Sequence, residues 1–217
     1  MKERVVILGG GGHAKVVADI LEEAAEVEIA GYIAAAASPG GLFGYRWLGT
    51  DDVLDATLQS GLRSAFVAIG DNRRRKACIE SLKRRGFRLV NAVSPRAAIS
   101  RRARLGEGIA IMPGAAINAE AQLGDGVIVN TNASVDHDCV IGACAHISPG
   151  TAVAGCVRLG EGVFLGIGSS VIPGITIGRW TTVGAGAAVV ADLPGGVLAL
   201  GVPATVKRRQ GGPETHD

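Results

Sequence analysis

Rings are scarce in this chain: Phe, Tyr and Trp together make up 4% of its 217 residues. A core closed without them has to be packed from small aliphatic side chains, which argues against an ordinary helical bundle. An excess of one charge is also lacking, with 22 Lys and Arg against 20 Asp and Glu, a formal +2. That balance leaves no electrostatic footprint for nucleic acid or for a membrane surface. No apolar run approaches the ~20 residues of a membrane span. The run Val5-Val6-Ile7-Leu8, which follows the charged Lys2-Glu3-Arg4, meets four glycines at once and reads as a buried strand rather than a leader. Only four cysteines occur (Cys78, Cys139, Cys144 and Cys156), without CxxC or zinc-finger spacing. They read as reduced thiols, and the protein as cytoplasmic.

Glycine, by contrast, is abundant, 33 of 217 residues, roughly twice the usual ~7%. The chain divides by period. Through residue 92 short apolar runs alternate with amphipathic stretches: strands at Val5–Leu8, Ile29–Ile33, Ser64–Ile69 and Phe87–Val93, helices at Ala14–Glu23, Asp51–Leu58 and Arg73–Arg85, and a loop at Ala35–Gly44. Thr50 is a candidate cap for the second helix, and Gly86 ends the third. This alternation predicts a small α/β unit with a parallel sheet.

From Val93 the period becomes six. Val93, Ile99, Leu105, Ile111, Ile117, Leu123, Val129 and ten further positions as far as Val189 are aliphatic without one insertion. The fifth place of each hexad, as at Ala115, Ala121, Val127 and Cys139, is small or apolar. Both places point to one side of an extended backbone. Leu105-Gly106, Leu123-Gly124, Ile141-Gly142, Leu159-Gly160 and Ile177-Gly178 recur every eighteen residues, so three hexads make one coil, with glycine serving a tight or left-handed corner. The prediction is a parallel β-helix over residues 93–209, with 210–217 as a tail.

Several segments carry a family resemblance. Gly9-Gly10-Gly11-Gly12-His13-Ala14-Lys15, Ala68-Ile69-Gly70-Asp71-Asn72, Val129-Asn130-Thr131, Asp136-His137-Asp138-Cys139-Val140-Ile141-Gly142 and Gly201-Val202-Pro203-Ala204 follow one another along the chain. Together they resemble the bacterial sugar acetyltransferases of the PglD and NeuD kind. The resemblance implies a Rossmann-like N-terminal unit that holds a nucleotide sugar, and a left-handed β-helix. It implies acetyl transfer from acetyl-CoA to the amine of a nucleotide-linked 4-amino-4,6-dideoxy sugar in polysaccharide biosynthesis, with UDP ahead of GDP or dTDP. It also implies a homotrimer whose active sites lie between subunits. O-acetylation of a sialic acid is the alternative, and a non-enzymatic nucleotide-sensing scaffold a third reading.

Acetyl transfer needs a base for the proton that the amine sheds and a donor for the oxyanion. His137 sits at the third place of its hexad, beside a corner, and leaves the column. Asp138 can hold one ring nitrogen and free the other; the family pattern favours it over Asp136. Adding eighteen places Gly155 one coil from His137, where its N–H is the candidate oxyanion donor. The resemblance implies that Asn130 lies near the base, although an asparagine there is equally a turn former. It suggests His146 for the coenzyme cleft, with simple exposure as the other reading. Gly166, Gly184 and Ala185 are coenzyme candidates by position, with Lys207, Arg208 and Arg209 near its phosphates. Gly9, Gly11 and Ala14 fit G-x-G-x-x-A between strand and helix, so Gly10, Gly11 and Gly12 offer backbone N–H groups to phosphate. His13, Asp71, Asn72 and Arg75 are further candidates for the sugar nucleotide. The strand ending Tyr32-Ile33-Ala34-Ala35 lacks the acid of a redox NAD site, and with it the aspartate that the family often carries near the base. A metal is not expected, since the β-helix carries two histidines where a zinc prism uses three.

Overall fold

The computed structural model describes residues 2–38 and 41–209. A five-stranded parallel sheet forms the N-terminal unit: β1 (Glu3–Leu8), β2 (Val27–Ile33), β3 (Trp47–Gly49), β4 (Ser64–Val67) and β5 (Arg88–Leu89), in the order β3-β2-β1-β4-β5. β1 is central, and Val5, Val6, Ile7 and Leu8 are buried on both sides, which is why its sequence is continuously apolar. Helix α1 (Gly12–Ala24) lies on one face and presents Ala14, Val17, Ala18, Ile20 and Leu21 to the core. α2 (Leu54–Gln59), preceded by a single 3₁₀ turn at Asp51–Val53, and α3 (Asn72–Arg85) carry the other face, where Leu54, Ile79 and Leu82 pack on Val6, Leu8 and Val67. Gly86 ends α3 in the left-handed conformation with φ 92°, as expected. Thr50 gives no cap hydrogen bond; its hydroxyl donates to the Asp52 carboxylate instead.

The strand expected over Phe87–Val93 is two strands. Arg88–Leu89 closes the first sheet beside β4, and Ala92–Val93 opens the β-helix by pairing with Ala110–Ile111. One apolar run thus serves two sheets, a division that hydropathy cannot show.

Sixteen two-residue strands from Ala98–Ile99 to Ala188–Val189, with Ala92–Val93 ahead of them, wind a left-handed triangular prism. Residues eighteen apart pair in parallel, for example Ser134↔Ala152 and His146↔Phe164. The first face runs from Ala98–Ile99 to Ala188–Val189 and the second from Arg104–Leu105 to Thr176–Ile177. The third runs from Ala92–Val93 to Thr182–Val183, extended by Val197–Leu200 and the antiparallel Thr205–Arg209. The sixfold aliphatic positions and their small partners form one column; Ile111, Val129, Ile147, Leu165 and Val183 have no exposure. Burying each such side chain contributes about 1.5–3 kcal/mol.

The corner glycines after Leu105, Leu123, Ile141, Leu159 and Ile177 do not adopt positive φ. A Cβ on Gly142 would stand 2.5 Å from the Glu161 nitrogen of the next coil, so close approach of backbones, not handedness, requires glycine there. Two places after each of these glycines the backbone is left-handed, at Gly108, Gly126, Cys144, Gly162 and Trp180.

The N-terminal unit rests on the third face, where Ala110, Met112 and Ile128 join the α1 core. Charged side chains of α3 reach the corner between the second and third faces. Lys83 pairs with Glu107 and Asp125, Lys76 with Glu161, and the Arg73 guanidinium lies 4.4 Å from the centre of the Trp180 ring.

Candidate active site

A cavity of about 720 Å³ opens at the C-terminal ends of β1, β2 and β4. Gly9, with φ 124°, lets the chain turn sharply out of β1; a Cβ there would stand 2.5 Å from the Ala68 carbonyl oxygen. Gly11 and Gly12 meet nothing within 4 Å of the place a Cβ would take and line the cavity. α1 begins at Gly12 without a side-chain cap, so its first N–H groups face the cavity as donors for an anion. Gly10 lies under Ser38, whose hydroxyl donates to the Gly10 carbonyl at 2.5 Å. His13 also lines the cavity. Burial, then the Arg75 charge, pushes its pKa down to about 4, and its Nε2 has no partner.

Asp71 lines the same cavity and accepts the Arg74 N–H at 2.8 Å as the cap of α3. Asn72 and Arg75, expected to meet the sugar nucleotide, are engaged elsewhere. Arg75 is 1% exposed and donates to five acceptors: the carbonyls of Ile69, Gly70, Gly126 and Cys144, and Asn72 Oδ1. The Asn72 amide in turn donates to the carbonyls of Gly162 and Val163. These side chains tie the wall of the cavity to three successive coils of the prism and have no donor left for phosphate. The correction has a plain cause: Arg75 lies on the face of α3 that meets the prism corner.

His146 is neither exposed nor at an open cleft. It is buried on the third face, edge-on to Phe164 with ring centres 5.2 Å apart, and its Nε2 lies 3.2 Å from the Asn130 amide nitrogen. Burial, with Arg75 and His13 nearby, pushes its pKa down to about 3, so the ring is neutral. Asn130 Oδ1 accepts the Thr131 N–H at 2.8 Å.

His137 stands at the corner between the first and second faces, exposed as its hexad place predicts. Its Nδ1 lies 2.7 Å from Asp138 Oδ2, and its backbone N–H donates to Asp136 Oδ1. Asp136 is held in turn by the Asn118 amide at 2.7 Å. The Asp138 hydrogen bond first, and then the Asp136 charge, raise the His137 pKa above its ordinary value. The ring covers Gly155, where a Cβ would stand 2.6 Å from His137 Nε2. Glycine one coil away lets the imidazole lie directly over the backbone; a larger residue there would have to displace the exposed ring. Cys156, which sequence reasoning passed over, lies beside Asp138 and His137. The eighteen-residue step that found Gly155 would have found it too, since 138 plus 18 is 156.

The structure brings His137, Asp138 and Gly155 together, and separately His146 with Asn130. It does not bring the two groups together within one chain. Asn130, Gly166, Gly184 and Ala185 lie at the corner between the third and first faces. The cavity lies over the third face, which is the side opposite the His137 corner of a triangle. Thr50, Asp51 and Asp52 also line the cavity and were not foreseen; their one available signal was position, just beyond the end of a sheet strand.

The family model for the PglD N-terminal domain matches residues 4–82. Among solved structures, PerB from Caulobacter crescentus, in complex with CoA and GDP-perosamine, is 51% identical with a TM-score of 0.90, over 94% of this chain and 97% of that one. The acetyltransferase domain of PglB from Neisseria gonorrhoeae is 35% identical with a TM-score of 0.89, over 95% of this chain and 100% of that one. WeeI from Acinetobacter baumannii, at 22% identity, TM-score 0.82 and coverage of 94% and 99%, shares the fold.

Proposed function

Since the chain belongs to the PglD-type sugar acetyltransferases of the hexapeptide-repeat superfamily, we propose that it N-acetylates a GDP-linked 4-amino-4,6-dideoxy sugar with His137 as general base. It is a CoA-dependent acyltransferase acting on a nucleotide sugar; the sugar, the nucleotide and the residue roles are the proposal. One observation carries it: His137 has one nitrogen held by Asp138 at 2.7 Å and the other poised over a glycine backbone. With Nδ1–H directed at the carboxylate, Nε2 is left as the acceptor. His137 takes the proton that the amine sheds as its lone pair attacks the thioester carbon. The Gly155 N–H donates to the oxyanion that forms. As the C–S bond breaks, the imidazolium returns a proton to the departing thiolate, and the pair is restored.

The nucleotide diphosphate fits the uncapped start of α1 at Gly11 and Gly12, with His13 as a neutral partner. Guanine is favoured over the uracil first expected. The relative that is 51% identical was solved with GDP-perosamine. Asp51 and Asp52 line the cavity, and a carboxylate can accept from both N1–H and the N2 amine of guanine, whereas a pyrimidine dione offers one N–H.

The active site lies between chains of a homotrimer in this reading, because the cavity and the His137 corner are on opposite sides of one prism. A neighbour that sets its His137 corner against the Asn130 corner completes the site. Exposed Ile167 at one of these corners and exposed Ile172 and Val190 at the other suit such packing. Gly166, Gly184 and Ala185 then border the coenzyme groove. His146 orients Asn130 from behind and does not touch the coenzyme.

The test is thiol release from acetyl-CoA with GDP-, UDP- and dTDP-linked 4-amino-4,6-dideoxy sugars and with free sialic acid. The GDP sugar is expected to give the highest kcat/KM. Faster turnover of sialic acid, or no release with any amino sugar, would overturn the proposal.

A further inference from the structure

The His137 corner holds a second set of donors that the acetyl-transfer chemistry does not use. Asp138 and Cys156 occupy the same place in successive coils and share the left-handed conformation, with φ 59° and 63°. The Cys156 N–H donates to the His137 carbonyl at 2.9 Å and locks the two coils in register. One imidazole nitrogen, one carboxylate oxygen and the Cys156 sulfur all lie within 4.8 Å of one another, and all three residues are exposed. The Cys156 thiol is free.

We propose that His137, Asp138 and Cys156 form a binding site for a thiophilic divalent cation, zinc being the type case, and that the bound ion silences the base. A nitrogen, an oxygen and a thiolate sulfur are donors that zinc takes together, and three protein ligands with one position open to water make a stable tetrahedral set. The separations are compatible with closing onto one ion, because the exposed side chains are free to rotate by the ångström or so required. Cys156 loses its proton to the solvent when the S–metal bond forms. The hydrogen bond from His137 to Asp138 gives way to two metal bonds, and the imidazole lone pair becomes unavailable to an amine. The role is inhibitory: no step of acetyl transfer runs through the ion.

The inhibitory consequence rests on His137 being the base; the binding site does not. The test therefore reads the two separately. Tag-free, metal-stripped protein is titrated with Co²⁺ and then with Zn²⁺, followed by absorption and calorimetry. The expected result is one ion per chain, a thiolate-to-cobalt charge-transfer band displaced by Zn²⁺, and loss of acetyl transfer that a chelator reverses. Cys156→Ala should abolish the band and weaken Zn²⁺ binding at least ~10-fold, while acetyl transfer without added metal is unchanged. Cys156→Gly, which suits the positive φ, should behave in the same way and guards against a folding defect. Absence of the band, or its survival in both variants, would overturn the site. A band of the expected kind with acetyl transfer undiminished would leave the site standing and overturn the assignment of the base.

Discussion

Replacing Arg75 with methionine should loosen the wall of the nucleotide cavity from the prism. The guanidinium is 1% exposed and supplies five hydrogen bonds at once. Its burial is visible in a pKa lowered to about 10, chiefly by desolvation. Methionine fills much of the same volume but offers no donor. Ile69 and Gly70 line the cavity and Asn72 lines a second, smaller pocket, so their oxygens can be rehydrated; the carbonyls of Gly126 and Cys144 cannot. Two orphaned buried acceptors cost about 1–3 kcal/mol each. Against this, the variant no longer desolvates a cation, so the net loss should be about 2–4 kcal/mol. Urea unfolding measures that loss, and hydrogen exchange shows where it falls. Amides of residues 69–75 should exchange faster, while the coils beyond residue 165 remain protected. KM for the nucleotide sugar should rise more than kcat falls. An Arg75→Met protein with unaltered exchange over residues 69–75 and unchanged stability would refute the reasoning.

Other outcomes follow from the same geometry. Gly155→Ala places a methyl 2.6 Å from His137 Nε2; the exposed ring can swing away, so kcat should drop ~100-fold or more with thermal stability nearly unchanged, as steady-state kinetics and a melting curve would show. The Asp138 contact raises the His137 pKa, so kcat/KM should fall as pH drops through a value above the ordinary one. In Asp138→Asn that acid limb should move to lower pH while the plateau rate falls. His13 and His146 are buried neutral, with pKa values near 4 and 3, below the ~6.5 of an unfolded chain. The unfolded state therefore binds more protons, so stability should decline as pH falls from about 6.5 toward 3; in His146→Gln, melting temperatures over that range should show a shallower decline. Finally, Asp51→Asn with Asp52→Asn should narrow the preference for GDP over UDP sugars in kcat/KM, whereas an unchanged ratio would remove those carboxylates from base recognition.

The prism was legible in the sequence because a six-residue aliphatic period leaves few alternatives, and the eighteen-residue beat set its coils. The same arithmetic placed Gly155 beneath His137 before any coordinate. Asn72 and Arg75 were misjudged because polar residues in the first turn of a helix that follows a sheet strand look alike whether they face a ligand or a neighbouring module. Which face of α3 meets the prism is a tertiary fact with no local signature. His146 was misjudged for a related reason: its place outside the column predicts exposure, and only the docked N-terminal unit buries it. Asp51 and Asp52 join the cavity through a turn whose packing the chain does not announce.

The account centres on an active site divided between chains, with His137 from one and the nucleotide cavity from another. Co-expression of two inactive chains tests it directly: His137→Gln, which lacks the base, and Gly12→Trp, whose ring fills the cavity. Each alone should be inactive, and purified mixed oligomers should regain acetyl transfer, because some interfaces then join an intact base to an intact cavity. Mixed oligomers that remain as inactive as their parents would contradict the account.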